Sequence, residues 1–246
     1  MFKFIKRRVN RFYHKNLFFP SNMSVLVNPF WLCRRALAKE ITRHAPQLTG
    51  KVLDFGCGSG PYKGLLTNSE SYLGLEYDTP ENRLHKQADI FYDGVAIPLE
   101  SESIDGILST QTLEHVPNPD QILGEWFRVL RPGGKLLLTV PCMWPEHEAP
   151  YDFQRYTSYG LSRILEAHGF ETLEHVRLLP DCRAPIQLFQ AWLYDVLNFG
   201  ARKLITQCII TALFFAPLSV WGSLLACIFP KVETTYMDNI ILAQRR

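Results

Sequence analysis

Short apolar runs alternate with helical patterns along most of the chain, and this alternation predicts a sheet covered by helices. Continuous or alternating apolar runs predict seven strands, at 51–55, 72–76, 87–90, 104–109, 135–140, 170–178 and 238–244. Helical signals lie between several of these runs, with helices expected to begin near Pro29, Pro119 and Ser158. Strands and helices in alternation favour a mostly parallel, Rossmann-like α/β sheet with helices on both faces.

One segment breaks this pattern, because residues 204–230 contain no charged side chain. The segment is long enough to cross a bilayer. Pro217 near its middle predicts a break in the helix, and the strand at 238–244 has to return to the sheet. A helix–Pro–helix hairpin that enters one membrane face satisfies both conditions, and the basic residues at its two ends agree with it. A buried helical lid or dimer surface, and a true membrane span, are the alternatives.

Charge is distributed unevenly, although the net charge is only +2. The first sixteen residues hold six basic side chains and no acidic one. Aromatic and aliphatic residues alternate with them, which favours an interfacial helix attracted to an anionic membrane surface. A solvated terminus is the simpler alternative. No RNA-binding motif accompanies the patch, so no nucleic-acid partner is expected.

The basic terminus, the alternating strands and helices and the uncharged segment together divide the chain into four predicted regions. They are a basic segment at 1–28, a core at 29–183, a hydrophobic helical insert at 184–232 and a final core strand at 233–246. Six scattered cysteines without a C-x-x-C pair argue against a disulfide framework or structural zinc. A cytoplasmic protein, peripheral or monotopic on the inner membrane face, is the expected result.

The most informative chemistry lies at 52–60, where a predicted strand ends in Asp54 and opens into Gly56, Gly58 and Gly60. Pro61 then suits the start of a helix. The spacing differs from the G-x-G-x-x-G of NAD-binding folds, and the acid would repel a pyrophosphate but suits a cation. This motif resembles that of class I S-adenosylmethionine (SAM)-dependent methyltransferases. The resemblance implies SAM as the cofactor, bound by Asp54, Gly56, Cys57 and Gly58.

The same resemblance assigns further cofactor contacts. It implies that Glu76, at the end of the second strand, accepts hydrogen bonds from the ribose hydroxyls, with Asp78 as a nearby competitor. It implies that Asp89, which follows the predicted third strand, meets the adenine amino group and that Ile90 packs on the ring. Gln111 begins a Q-T-L-E-H-V-P run that would close over the methionine part of SAM.

Polar residues after the fourth and fifth strands predict the acceptor side. His115 either orients groups near the methyl donor or holds its loop, and His147 is the best candidate for a general base. Asp152 is a third catalytic candidate, and an ion pair between Asp152 and Arg155 is the structural alternative. Some related methyltransferases bind Mg²⁺ through E-x-x-E-H and a distant His. Here Gln111 replaces the first Glu, so no metal site is predicted.

These observations together predict a SAM-dependent methyltransferase. The expected acceptor is a small molecule, a lipid or a lipid-linked compound, methylated on oxygen near a membrane. A catalytically inactive SAM-fold scaffold at the membrane and a protein or RNA methyltransferase are the alternatives. The glycine spacing argues against an NAD-type dehydrogenase.

Overall fold

The computed structural model describes residues 16–246 and confirms the predicted α/β sheet. Residues 1–15, which hold most of the predicted basic segment, lie outside the described part. The strand order is β3-β2-β1-β4-β5-β7-β6, with β7 antiparallel to both neighbours and the other pairs parallel. The strands are β1 Gly50–Phe55, β2 Ser69–Tyr77, β3 Ile90–Tyr92, β4 Ile104–Thr110, β5 Leu130–Pro141, β6 Phe170–Arg177 and β7 Asp238–Arg245.

In the described part of the chain, six α-helices with defined bounds connect or flank these strands. They are α1 Trp31–His44, α2 Pro80–His85, α3 Pro119–Val129, α4 Ser158–Ala167, α5 Arg183–Val196 and α6 Leu204–Leu225. The predicted helix starts follow from capping: Asn118 accepts a hydrogen bond from the backbone N–H of Gln121, and Thr157 accepts one from Gly160. Pro119 occupies the first turn of α3, where its missing N–H costs nothing.

The sheet core is apolar and tightly packed. Leu53 and Phe55 from β1 pack with Ile107 from β4 and with α3, whose Trp126 is fully buried. The rings of Phe55 and Trp126 meet edge to face, with centroids 5.2 Å apart. This packing fixes the carboxyl ends of β1, β2, β4 and β5 along one edge of the sheet.

Two local predictions differ from the structure on this edge. No α-helix follows the glycine loop; the chain makes only a 3₁₀ turn at Lys63–Leu65, because β2 begins at Ser69, earlier than predicted, and shortens the connection. The third strand is Ile90–Tyr92, so Asp89 precedes this strand rather than following it. The apolar run that predicts the third strand is short, so the sequence locates the strand but not its ends.

The uncharged segment at 204–230 contains one continuous helix, Leu204–Leu225, and the predicted hairpin with a break at Pro217 is wrong. A π-helical turn at Thr211–Phe215 precedes the proline, and its wider hydrogen-bond pattern lets the helix continue past the missing N–H. The side chain of Gln190 in α5 donates to the carbonyl of Phe215 and to the hydroxyl of Ser219. Both contacts hold α6 along α5.

The described chain divides into two compact units. One, the sheet unit, comprises residues 40–142, 146–177 and 238–246; the other, the helical unit, comprises residues 16–39, 143–145 and 178–237. This division differs from the predicted boundaries, because the start of α1 groups with the insert. Within the helical unit, Leu32 and Cys33 of α1 pack with Leu179, Ala184 and Met237. These residues are distant in the sequence, and no local sequence pattern predicts their contact.

Candidate cofactor and acceptor site

Two buried carboxylates lie at the ends of adjacent strands. Asp54 pairs with Gly74 in the β1–β2 register, which brings Asp54 and Glu76 to the same edge. Their exposed fractions are 2% and 8%. Asp54 accepts a hydrogen bond of 2.8 Å from the hydroxyl of Tyr72, and Glu76 accepts one of 2.5 Å from the backbone N–H of Gly58. The two predicted cofactor acids therefore share one environment.

Electrostatics show what this environment accepts. Burial raises the pKa of Asp54 to about 7, the negative charge of Glu76 adds to the rise, and the hydrogen bond from Tyr72 opposes it. A carboxyl group with this pKa is easily ionised when a positive charge comes near. The site therefore fits a cationic ligand and disfavours a phosphate, in agreement with a sulfonium- and ammonium-bearing cofactor.

Two glycines of the loop after β1, Gly56 and Gly58, differ in how much space surrounds them. Gly56 and Gly58 both have left-handed backbone conformations, with φ of +73° and +57°. A Cβ on Gly56 would lie 2.3 Å from the side chain of Thr112, whereas a Cβ on Gly58 would meet nothing within 4 Å. Gly56 is thus required by its neighbour, and Gly58 leaves room beside Glu76 for a ligand.

The remaining cofactor candidates occupy the same edge with different partners. Cys57 is buried, and its surroundings raise the pKa of its thiol to about 12, mainly through burial and then through nearby acids, so the thiol stays protonated. Asp89 is exposed and accepts a hydrogen bond of 2.8 Å from the N–H of Gly74. Gln111 has a φ of +51°, and its amide donates to the hydroxyl of Thr139 at 3.2 Å.

Asp78 and Ile90, which are predicted to lie near the ribose and the adenine ring, also have defined positions. Asp78, the competitor of Glu76, forms an exposed ion pair with Arg83 at 2.6 Å. Ile90 is partly buried and packs against the sheet core. The proposed contacts of Asp89, Ile90 and Gln111 with the cofactor stay predictions.

A second polar cluster follows β4 and β5 and contains the predicted acceptor-side residues. Glu114 is fully buried, and neither of its carboxylate oxygens has a hydrogen-bond partner among the described residues. Burial raises the pKa of Glu114 to about 8, with a contribution from the charge of Asp238. The Nε2 atom of His115 lies 3.9 Å from Oε1 of Glu114, and the rings of His115 and His147 meet edge to face at 4.8 Å.

The loop after β5 contains the predicted ion pair. Arg155 holds both carboxylate oxygens of Asp152, at 2.6 Å each. This contact holds the pKa of Asp152 well below its usual range, so Asp152 is a poor proton acceptor. Asp152 also accepts a hydrogen bond from the backbone N–H of His147 and lies 3.2 Å from Nδ1 of the same residue. Asp152 therefore positions His147, and the general-base role of His147 stays a prediction.

Sequence reasoning missed two residues of this edge. Tyr72 lies in the predicted second strand, and no local pattern marks it as the hydrogen-bond partner of Asp54. Glu114 belongs to the Q-T-L-E-H-V-P run, and its burial depends on the backbone, because the N–H groups of Phe153 and Gln154 donate to the Glu114 carbonyl and close the loop over it. The sequence signal for this burial is weak: Glu114 lies between two apolar residues of the L-E-H-V run, Leu113 and Val116.

Comparison with known proteins finds methyltransferases among the relatives of this chain. Residues 53–138 match a methyltransferase domain family. A probable S-adenosylmethionine-dependent methyltransferase of Mycolicibacterium smegmatis is 30% identical over 155 residues, which cover 58% of this chain and 60% of the relative. An uncharacterized methyltransferase of Mycobacterium leprae is 34% identical over 106 residues, 40% of this chain and 39% of that protein. The chain thus spans about 60% or less of the length of these relatives.

Solved structures share the fold at low identity. The [4+2]-cyclase SpnF has a TM-score of 0.56 at 19% identity and covers 87% of this chain and 83% of its own. A SAM-dependent methyltransferase from Mesorhizobium loti has a TM-score of 0.53 at 16% identity, with coverage of 87% and 100%. A Haemonchus contortus phosphoethanolamine N-methyltransferase in complex with SAM scores 0.51 at 19% identity, with coverage of 92% and 57%. These likenesses describe the fold alone.

Proposed function

We propose that this protein, whose sheet unit is a class I SAM-dependent methyltransferase domain, transfers a methyl group to an acceptor oxygen at a membrane surface. The acceptor class that we favour is a small apolar molecule, a lipid or a lipid-linked compound. The single observation that carries the cofactor part is the pair of buried carboxylates, Asp54 and Glu76, beside the open space at Gly58.

The residues of the cofactor edge have distinct roles in this proposal. SAM supplies an electrophilic methyl group on a cationic sulfonium. Asp54 would bind the positively charged methionine end, and Glu76 would accept hydrogen bonds from the ribose. Gly56 and Gly58 would let the backbone pass close to the ligand. Because these groups are already fixed by Tyr72 and the strand ends, little ordering is needed on binding.

The acceptor side would remove a proton and hold the nucleophile in line. The cluster of Glu114, His115, His147 and Asp152 lies on the same sheet edge and combines a buried carboxylate with two histidines. A group positioned to accept a proton contributes typically 10²- to 10⁴-fold to rate. The ion pair of Asp152 with Arg155 fixes the loop that carries His147.

The apolar surface of α6 supports the membrane part of the proposal. This helix is long and apolar enough to cross a membrane, with a mean hydropathy of 1.9, and only 28% of its most apolar stretch is buried. Gln190 of α5 holds α6 against α5 within the helical unit. This contact favours an orientation in which α6 lies along the membrane–water interface and does not cross the bilayer. The exposed apolar side chains include Ile205, Ile209, Leu213, Phe214, Trp221 and Leu224.

Calorimetric titration with SAM tests the cofactor part. We expect one site per chain, and Asp54→Asn should weaken binding by about 10- to 100-fold, because a hydrogen bond to a charged group contributes about 1.5–3 kcal/mol. Glu76→Gln should act in the same direction. Glu171→Gln is the matched control for Glu76→Gln, because the side chain of Glu171 is 58% exposed on β6, at the opposite side of the sheet from the glycine loop. Unchanged affinity in both site variants would refute the assignment.

Vesicle flotation tests the membrane part. The protein should float with vesicles that contain anionic lipid, and the triple variant Ile205→Ser, Leu213→Ser, Leu224→Ser should stay at the bottom of the gradient. Leu84→Ser is the control, since Leu84 is 78% exposed on α2 of the sheet unit. If the triple variant floats as well as the unaltered protein, α6 is not the membrane contact.

A further inference from the structure

We propose that Tyr72 is a positioning residue for the cofactor: its hydroxyl stabilises the ionised form of Asp54 that binds SAM, and so determines how SAM affinity depends on pH. The inference rests on the proposed function, because it takes Asp54 as the group that binds the methionine end of SAM. Tyr72 acts through this carboxylate and needs no contact of its own with the cofactor.

The hydrogen bond between the two side chains is the first argument. Tyr72 on β2 donates to Oδ2 of Asp54 on β1 at 2.8 Å. Asp54 is 2% exposed, so water compensates its charge poorly and a protein donor has a large effect. A hydroxyl donates more strongly to a carboxylate than to a neutral carboxyl group, and this difference favours the ionised form.

The placement of the Tyr72 ring is the second argument. Nζ of Lys63 lies 4.4 Å from the ring centroid, a cation–π contact that holds the face of the ring. Lys63 belongs to the 3₁₀ turn that follows the glycine loop. A Cβ on Gly60 would lie 3.4 Å from the Tyr72 hydroxyl oxygen, so the backbone of the loop passes beside the hydroxyl. The ring is therefore held at its face and at its tip, with its donor directed at Asp54.

The groups around Asp54 give the third argument. Burial raises the pKa of Asp54 to about 7 and the charge of Glu76 adds to the rise, whereas the Tyr72 hydroxyl lowers this pKa. Burial and then the charge of Asp54 raise the pKa of Tyr72, so its hydroxyl stays protonated and remains a donor. The thiol of Cys57 beside the same acids is also protonated, and on the other side Asp54 pairs with Leu108 of β4.

These contacts determine the sign of the pH dependence. SAM binds the ionised carboxylate, so SAM binding at low pH releases the Asp54 proton to the solvent, and SAM affinity rises with pH until Asp54 is ionised without it. Loss of the Tyr72 hydroxyl raises the pKa of Asp54 and moves this rise to higher pH. The amino group of SAM itself titrates near pH ~8, but it does so equally with every variant.

Calorimetric titration with SAM between pH 6 and pH 8.5 tests the role of Tyr72. Tyr72→Phe keeps the ring beside Lys63 and should move the rise in affinity by about one pH unit, which weakens SAM binding roughly eightfold at pH 6.5 and less than about twofold at pH 8.5. Titrations in two buffers of different ionisation enthalpy count the protons released. At pH 7.5 this number should rise from roughly 0.2 in the unaltered protein to roughly 0.8 in Tyr72→Phe.

Two further variants separate positioning from a general structural effect. Tyr159→Phe is the matched control, because Tyr159 is 81% exposed on α4, and it should bind SAM as the unaltered protein does at every pH. In an Asp54→Asn background, Tyr72→Phe should leave SAM affinity unchanged, because the group through which it acts is gone.

A loss of SAM affinity in Tyr72→Phe that is equal at all pH values would overturn the inference, as would unchanged affinity and proton release. An undiminished loss in the Asp54→Asn background would also overturn it. In these cases SAM still binds the unaltered chain, and the proposed function stands. Absence of SAM binding by the unaltered chain would refute the proposed function. Urea unfolding without SAM would then decide on Tyr72, whose replacement should extend the pH range over which stability is lost, and coincident profiles would exclude its control of Asp54.

Discussion

The sheet unit and the helical unit place polar and apolar groups in opposite ways. The sheet unit buries four carboxylates, Asp54, Glu76, Glu114 and Asp238, at one edge of an apolar core. The helical unit leaves large apolar side chains of α6 exposed and buries glutamines between helices, and the buried carboxylate of its Asp181 is paired with Arg183. Burying a carboxylate and exposing an apolar patch are both costly in water. The contrast supports the proposed ligands of the two units, a cation for the sheet unit and an apolar phase for the helical unit.

The largest expected effect compares one tryptophan from each unit. Trp126 is fully buried in the sheet core, whereas Trp221 on α6 is 56% exposed. Trp126→Ala should lower the free energy of unfolding by about 3–5 kcal/mol, because it removes buried area and leaves a cavity. Trp221→Ala should change it by less than about 1 kcal/mol. Urea unfolding of both variants measures the difference.

Vesicle flotation of the same two tryptophan variants is the control for the comparison of their stabilities. Trp221→Ala should weaken flotation, because an aromatic side chain at the interface is lost. Trp126→Ala, examined where it remains folded, should float as before. Equal destabilisation by the two substitutions would mean that the α6 surface is packed in solution and that the contrast between the units is wrong.

A smaller effect separates two glycines within the sheet unit. Gly56→Ala adds a Cβ against Thr112 and strains a left-handed backbone, so we expect a loss of about 2–4 kcal/mol in unfolding free energy. Gly58→Ala carries only the backbone strain, about 1–2 kcal/mol. Its Cβ would occupy the open space beside Glu76, so SAM affinity should fall by more than its stability does. Thermal unfolding and SAM calorimetry on the same preparations test this pair.

Gly133→Ala is the matched control for backbone strain. Gly133 has a φ of +77° in β5, and a Cβ there would make only an ordinary contact of 3.5 Å with Gln244. It should destabilise the chain about as much as Gly58→Ala and leave SAM binding unchanged. If Gly58→Ala also leaves SAM binding unchanged, the space at Gly58 does not belong to the cofactor site.

The sequence predicts the sheet well because its strands are continuous apolar runs with polar ends. Such runs predict β1, β4 and β7 to within one residue at each end, whereas β5 begins five residues before its predicted start, and the alternate glycines after Asp54 predict a cofactor edge. Local patterns also predict that Asp54 and Glu76 are neighbours, as the register of β1 and β2 has them, since adjacent parallel strands end at one edge.

Features that depend on distant contacts could not be predicted in this way. The continuity of α6 past Pro217 depends on a π turn and on Gln190 from another helix. The meeting of Glu114 with His147 depends on two loops after different strands. The missing helix after the glycine loop depends on where β2 begins. In each of these cases, contacts between distant segments decide the structure, and the local sequence pattern does not contain them.

Measured per pH unit, the smallest effect is a slope in stability that follows from Asp54. Its pKa is raised from 3.8 to about 7 in the folded chain, so the folded state holds a proton that the unfolded state releases between these values. Stability from this group is therefore complete below pH 3.8 and is lost as pH rises toward 7. The slope is about 1.4 kcal/mol per pH unit. Asp54→Asn should flatten this part of the profile and be the more stable protein at pH 8.

Urea unfolding of the SAM-free chain between pH 4 and pH 8, in the presence of a chelator, measures this slope. Glu114, whose pKa burial raises to about 8, retains a second slope of the same sign in both proteins. SAM should reduce the slope of the unaltered chain, because a cation beside Asp54 favours its ionised form and lowers its pKa. It should have little effect on Asp54→Asn. Identical pH profiles for the two proteins without SAM would mean that Asp54 is already ionised, and the argument for a cation-selective edge would then lose its electrostatic basis.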